Sequence, residues 1–138
     1  MKVNPQDIDV IGSYIAAVNR HDVVGLGDLM TEDHTFIDSL GRSVSGRKDM
    51  IEAWTMYFAM FPDYQIRVDS TLGEGGTVAV FGSASGTYNG KRGLVAANRI
   101  SMEAAWRAIV VDGKVKIWQV YCDWTKGMHT IDEDEKNG

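Results

Sequence analysis

Apolar positions along the chain follow a helical period up to about residue 61 and alternate beyond it. Ile8, Ile11, Ile15 and Val18 recur at helical spacing, with Tyr14 at the margin, so a helix opening at Asn4 or Pro5 presents one apolar stripe. His21-Asp22 ends it, and Asp22 can cap a short second helix, Val23 to Met30, that Gly25 and Gly27 weaken. A strand from about His34 to Asp38 and a turn at Gly41-Arg42 follow. Lys48 to Phe61 reads as a third helix with Met50, Ile51, Trp54, Tyr57, Phe58 and Phe61 on its apolar face. Pro62-Asp63 stops it. Met50, Met56 and Met60 on that helix suit adaptable core packing better than a cofactor site.

Past Asp63 the period becomes two. Tyr64, Ile66, Val68, Ser70 and Leu72 alternate with Gln65, Arg67, Asp69 and Thr71. Glu74-Gly75-Gly76 turns the chain into a strand from Thr77 to Tyr88, and Asn89-Gly90 marks a turn before a loop to Asn98. The strongest local signal is a hairpin, Ser101 to Trp124, whose turn Asp112-Gly113 suits the positive φ of a two-residue connection. Pairing outward from that turn sets Val111 opposite Lys114, Ala108 opposite Ile117 and Met102 opposite Asp123. One face then carries Met102, Ala104, Trp106, Ala108, Val110, Val115, Ile117, Gln119, Tyr121 and Asp123. The other, mixed face carries Arg107, Lys116, Trp118, Val120 and Cys122 among others. Helices first and an antiparallel meander afterwards make an α+β domain, a curved sheet wrapped over a long helix around an enclosed space. Residues 1–128 form this one domain; residues 129–138, with Asp132-Glu133-Asp134-Glu135, read as a charged, disordered tail.

At 138 residues one domain can bury roughly 70% of its unfolded surface. A net charge of −5 leaves no basic footprint for nucleic acid, and no long apolar run suggests a leader or a membrane span. Cys122 is the one cysteine, so no internal disulfide forms and a reducing, cytoplasmic setting is expected. His21, His34 and His129 are scattered and carry no metal-ligand spacing, so neither metal nor cofactor is expected. A tryptophan, Trp118, on the mixed hairpin face points to a covered surface and a homodimer through the sheet.

On the paired face, Asp123 is a carboxylate among apolar neighbours. Desolvation raises the pKa of such a group and suits it to take up and return a proton. Gln119 and Tyr121 share its face and could hydrogen-bond the acid or a substrate carbonyl, while Trp106, Met102, Trp54 and Phe58 would wall a pocket for a ring-bearing ligand. His34, Phe36 and Asp38 alternate onto one side of their strand. An Asp38 facing Asp123 would repel it and raise one of the two pKa values.

Four segments carry a family resemblance in order and spacing: Ala16-Ala-Val-Asn-Arg-His-Asp22, Phe61-Pro-Asp63, Gly86-Thr-Tyr-Asn-Gly90, and Val111-Asp-Gly-Lys through Tyr121-Cys-Asp123. Together they resemble the nuclear transport factor two-like superfamily, and within it the SnoaL-like polyketide cyclases. The resemblance implies a cone-shaped barrel of curved, mixed, mostly antiparallel sheet around a long helix. It also implies an acid late in the final strand acting as general acid/base in an intramolecular aldol closure, which falls on Asp123. Ile109 stands where these cyclases place a histidine. The segments around Tyr14 and from Phe36 to Gly41 also resemble the N-terminal half of ketosteroid isomerases. That likeness implies Tyr14 as a hydrogen-bond donor to an oxyanion and Asp38 as the proton carrier. The second oxyanion acid of those isomerases would fall near Ala104 to Trp106, where this chain has none. The expectation is a cofactor-free acid/base enzyme on a hydrophobic carbonyl compound, with Asp123, Asp38 and Tyr14 catalytic. The alternative is a binding module for a small molecule or protein on the same fold.

Overall fold

The computed structural model describes residues 5–137. Helix α1 (Pro5–Arg20) opens on proline, whose missing N–H costs nothing at a helix start. It buries Ile11, Tyr14, Ile15, Ala17 and Val18. The chain leaves α1 through His21 at φ 57°, and the His21 ring stacks on Phe58 with centroids 4.2 Å apart. Asp22 then accepts the Gly25 amide at 2.9 Å and caps α2 (Val23–Asp28). Strand β1 (Met30–Ile37) begins four residues earlier than the pattern predicts. A short β2 (Ser43–Ser45), which the pattern does not predict, pairs back on it. Helix α3 (Arg47–Met60) buries Met50, Trp54 and Phe58. Then come β3 (Gln65–Glu74), β4 (Thr77–Thr87), a single 3-10 turn (Ala96–Asn98), β5 (Arg99–Val111), β6 (Lys114–Cys122) and α4 (Thr125–Asn137).

The six strands lie in the order β2-β1-β6-β5-β4-β3, with β1 parallel to β6 and every other pair antiparallel. The sheet curves over α1 and α3 in the expected α+β cone, but its edges β2 and β3 do not pair, so it is not closed into a barrel. Gly82 sits where β3 bulges between Val68 and Ser70. Any Cβ there would collide with the Arg67 carbonyl, so the two strands approach closely only because the residue is glycine.

The hairpin turn forms as predicted, with Asp112 at φ 50° and Gly113 at φ 77°, and Val111 faces Lys114. The register then breaks. Val110 pairs Val115 and Ile109 pairs Ile117, which leaves Lys116 as an extra residue in β6. The bulge puts Lys116 and Ile117 on the outer face together, and every later residue of β6 changes sides. Ala108 therefore faces Trp118 rather than Ile117, and Ala104 faces Cys122. The same point interrupts the β1–β6 ladder, where the Nδ1–H of buried His34 donates to the Val115 carbonyl at 2.7 Å.

The C-terminal segment also departs from expectation. Residues 129–137, expected to be disordered, are the greater part of helix α4, because Asp134 is fully buried and accepts hydrogen bonds from the Lys91 amide at 2.7 Å, the Arg92 amide at 2.8 Å and Asn98 Nδ2 at 2.9 Å.

Candidate functional site

Between the sheet's inner face and α3 the fold leaves a cavity of about 380 Å³. Ala104, Trp106, Trp118 and Val120 form its sheet wall. Met50, Ala53, Trp54 and Tyr57 line it from α3, and Phe61, Tyr64, Trp124 and Ile131 complete the apolar surround. Leu40, Arg42 and Met60 line it and are also exposed, which marks where the cavity meets solvent. Rings dominate: Trp106 stacks on Trp118 at 6.0 Å and Trp54 on Phe58 at 5.1 Å.

The polar groups on this surface are few. Tyr57 and Tyr64 meet edge to face at 5.0 Å, their hydroxyls in hydrogen-bonding contact. Burial, reinforced by the nearby Cys122 sulfur, pushes both phenols up, so they stay neutral donors. Burial also pushes the Cys122 thiol up, and Asp123 beside it adds to the effect while a hydrogen bond with Ser39 opposes it. At the mouth, Asp38 accepts the Leu40 amide at 2.9 Å, the Arg42 amide at 2.9 Å and Arg42 Nε at 2.8 Å. Partial burial pushes the Asp38 carboxyl up, but these donors outweigh it and hold the group below its ordinary value. Among the described residues no cluster of His, Cys, Asp or Glu is arranged to hold a metal.

The predicted site residues divide accordingly. Trp54, Trp106, Met102 and Asp38 line the cavity. Asp123 does not. It is exposed beyond the end of β6, accepts the Thr125 amide at 3.0 Å, and is held low by hydrogen bonds with Thr125. The Lys116 bulge is the cause, and no Asp38–Asp123 repulsion arises, since both carboxyls are lowered. Gln119 and Tyr121 follow Asp123 to the outer face, where Gln119 Oε1 accepts from Arg107 Nε at 3.3 Å and Tyr121 is 49% exposed. Trp118, assigned to that outer face by the turn-based pairing, is buried on the inner one.

Tyr14 lies behind the cavity wall. It is completely buried, and its hydroxyl accepts from Trp54 Nε1 at 3.2 Å. Phe58 is buried beneath Trp54 and does not reach the space. Trp118 and Cys122 are site residues that pairing from the turn misses, and Tyr57 and Tyr64 are site residues that the sequence pattern gives only as a helix-face and a strand position. The alternation Trp118, Val120, Cys122 against Gln119 and Tyr121 was the available signal, with the phase break at Lys116-Ile117 preceding it.

Known proteins share this architecture. A protein from Xanthomonas campestris, described as a polyketide cyclase, superposes with a TM-score of 0.80 at 16% identity over 92% of this chain and 97% of its own. AclR from Streptomyces galilaeus, described as a hydroxylase, gives 0.76 at 22% identity over 94% of this chain and 82% of that one. A protein of ketosteroid isomerase-like fold from Catenulispora acidiphila, in complex with trimethylamine, gives 0.71 at 18% identity over 81% of this chain and 83% of its own. At these identities the likeness is one of fold. No curated protein sequence matches the chain. Residues 11–118 match the profile of the SnoaL-like domain, and the chain belongs to that family.

Proposed function

We propose that the cavity binds a flat, largely apolar small molecule and holds its one acceptor oxygen against the Tyr57 hydroxyl, with Tyr64 donating to the Tyr57 oxygen behind it. The observation carrying this reading is the wall itself: Trp54, Trp106 and Trp118 around about 380 Å³, with neutral hydrogen-bond donors at Tyr57 and Tyr64. An aromatic ketone matches that layout, its rings on the indoles and its carbonyl on the Tyr57 phenol. The description of the Xanthomonas campestris protein as a polyketide cyclase supports the same ligand class. The carboxylates do not compete with this role, because Asp123 is spent on the Thr125 amide and Asp38 on Arg42 and two backbone amides.

Titrating bicyclic and tricyclic aromatic ketones while following tryptophan fluorescence tests the proposal. Saturable quenching is expected, and Ala104→Phe, which grows a ring into the cavity, should abolish it in a protein that still unfolds cooperatively. Tyr57→Phe should weaken ketones by about 0.5–1.5 kcal/mol and leave the parent hydrocarbons unchanged. Quenching that survives Ala104→Phe rejects the site.

One observation favours turnover as a second reading. Among the described residues, Asp38 is the one carboxylate on the cavity wall. In that reading Asp38 moves a proton on the bound carbonyl compound, in a cyclisation or isomerisation, while Tyr57 donates to the enolate oxygen. Asp38→Asn should then cost about 10² to 10⁴ in rate. Binding with no such loss leaves ligand binding as the function. The outer sheet face, with Leu72 at 64%, Phe81 at 44% and Tyr121 at 49% exposure, is the proposed contact between two copies. Light scattering showing a monomer at micromolar concentration rejects that contact. Among the described residues no helix is long and apolar enough to cross a membrane.

A further inference from the structure

Helix α4 and its preceding residue give the cavity two of its walls, Trp124 and Ile131, yet α4 is held on by polar contacts. Its sequence is mostly polar, Met128 is 47% exposed, and the residues it buries are Gly127, Thr130 and Asp134. The buried docking point is Asp134, flanked by the exposed Glu135, whose carboxylate accepts from the Tyr88 hydroxyl at 3.2 Å and whose carbonyl accepts from Lys91 Nζ at 2.9 Å. The Asp134 side chain is completely buried and takes up the Lys91 and Arg92 amides, Asn98 Nδ2, and Arg92 Nε at 3.4 Å. These partners all belong to the segment joining β4 to β5. Any Cβ at Gly90 in that segment would collide with Asp134 Oδ2, so the loop closes around the carboxylate only because residue 90 is glycine.

An element that buries little apolar surface and hangs on one polar cluster opens at lower free energy than the core beneath it. When α4 lifts, Trp124 and Ile131 leave the cavity and the sheet behind them keeps its ladder. We infer that α4 is a cover over the cavity and that Asp134 is the latch setting how often it opens, and hence how fast a ligand enters and leaves. Asp134 is a positioning residue here; it does not line the cavity. What the cover admits rests on the ligand-binding reading above, whereas the latch itself does not.

Hydrogen–deuterium exchange on the full chain, compared among the parent, Asp134→Ala and Gly90→Ala, decides the matter. Both variants break the latch, one from the helix and one from the loop, so the test survives if either fails to fold. Amides of residues 125–137 are expected to exchange about 100-fold faster in both, with β4, β5 and β6 protected as in the parent. Stopped-flow mixing with phenylnaphthylamine, a neutral aromatic probe, should show association and dissociation accelerating together, so that the equilibrium constant moves far less than either rate. Unchanged protection of α4 overturns the latch. Protection lost equally across the sheet also overturns it, because Asp134 would then be an ordinary stability group. Faster exchange with unaltered probe rates overturns the cover. A probe that binds neither parent nor variant refutes the cavity reading, and exchange still decides the latch.

Discussion

Replacing Tyr14 with phenylalanine separates a structural hydroxyl from a catalytic one. The ring of Tyr14 packs against Trp118 with centroids 4.9 Å apart and lies 6.2 Å from the His34 ring, contacts that phenylalanine keeps. What disappears is the oxygen that accepts from Trp54 Nε1 at 3.2 Å. Trp54 is 5% exposed, so its indole N–H is left without water to turn to. A buried donor stripped of its partner costs about 1–3 kcal/mol, reduced somewhat because a polar hydroxyl no longer has to be buried; a net loss of about 1–2 kcal/mol is expected. For a chain of this size that lowers the midpoint of thermal unfolding by about 3–5 °C per kcal/mol.

Urea unfolding followed by tryptophan fluorescence reads the loss as a lower midpoint at constant slope. The cycle with Trp54→Phe sharpens it. Once the indole N–H is gone, Tyr14→Phe should cost almost nothing more, a coupling of about 1 kcal/mol. Affinity for an aromatic ketone should stay within about twofold in Tyr14→Phe, because the hydroxyl sits behind Trp54 and not beside the ligand. A variant that keeps its stability and loses about tenfold in affinity or rate refutes this reasoning and puts the Tyr14 hydroxyl in the site.

Three further outcomes are expected. Asp123→Asn should leave ketone affinity and any turnover unchanged, since asparagine still accepts the Thr125 amide; a large loss of rate would return Asp123 to the chemistry. Burial holds the His34 imidazole below its ordinary value of 6.5, so the unfolded chain binds the proton more readily. Stability is then complete above pH 6.5 and falls as the pH drops through and below it, by at most about 1.4 kcal/mol per pH unit for this one group. Denaturation midpoints from pH 8 to 5 should show that limb in the parent and lack it in His34→Gln. Gly82→Ala drives a methyl into the Arg67 carbonyl at the β3 bulge and should cost about 2–4 kcal/mol or unfold the chain; a neutral effect in urea titration would contradict that close approach.

The helices and the hairpin turn were legible because each rests on local chemistry. Asp22 caps where capping was read, Pro62-Asp63 ends α3, and Asp112-Gly113 takes the positive φ its residue types allow. The charged C-terminus was not. Asp132 through Glu135 has the composition of a solvated tail, and its helix exists because Asp134 meets two amides and an asparagine some forty residues earlier in the chain. No window of local sequence contains that partnership.

The candidate acid was misplaced for a different reason, and one residue accounts for it. Counting alternation outward from the turn is sound only while the ladder stays regular, and each further residue inherits the parity of every one before it. Lys116 breaks parity three positions past the turn, so Asp123, Tyr121 and Gln119 were carried inward while Trp118, Val120 and Cys122 were carried outward. Counting from the far end gives the other answer, since Trp118, Val120 and Cys122 are the less polar set and belong against a core. The two counts disagree at Lys116-Ile117, where a lysine that must reach water precedes an isoleucine that the regular pattern would bury. A conflict of that kind inside one strand is itself evidence of a bulge. Lys116 is exposed, Ile117 is only partly buried on the same face, and the bulge turns the cavity wall from a carboxylate into a thiol and two apolar side chains.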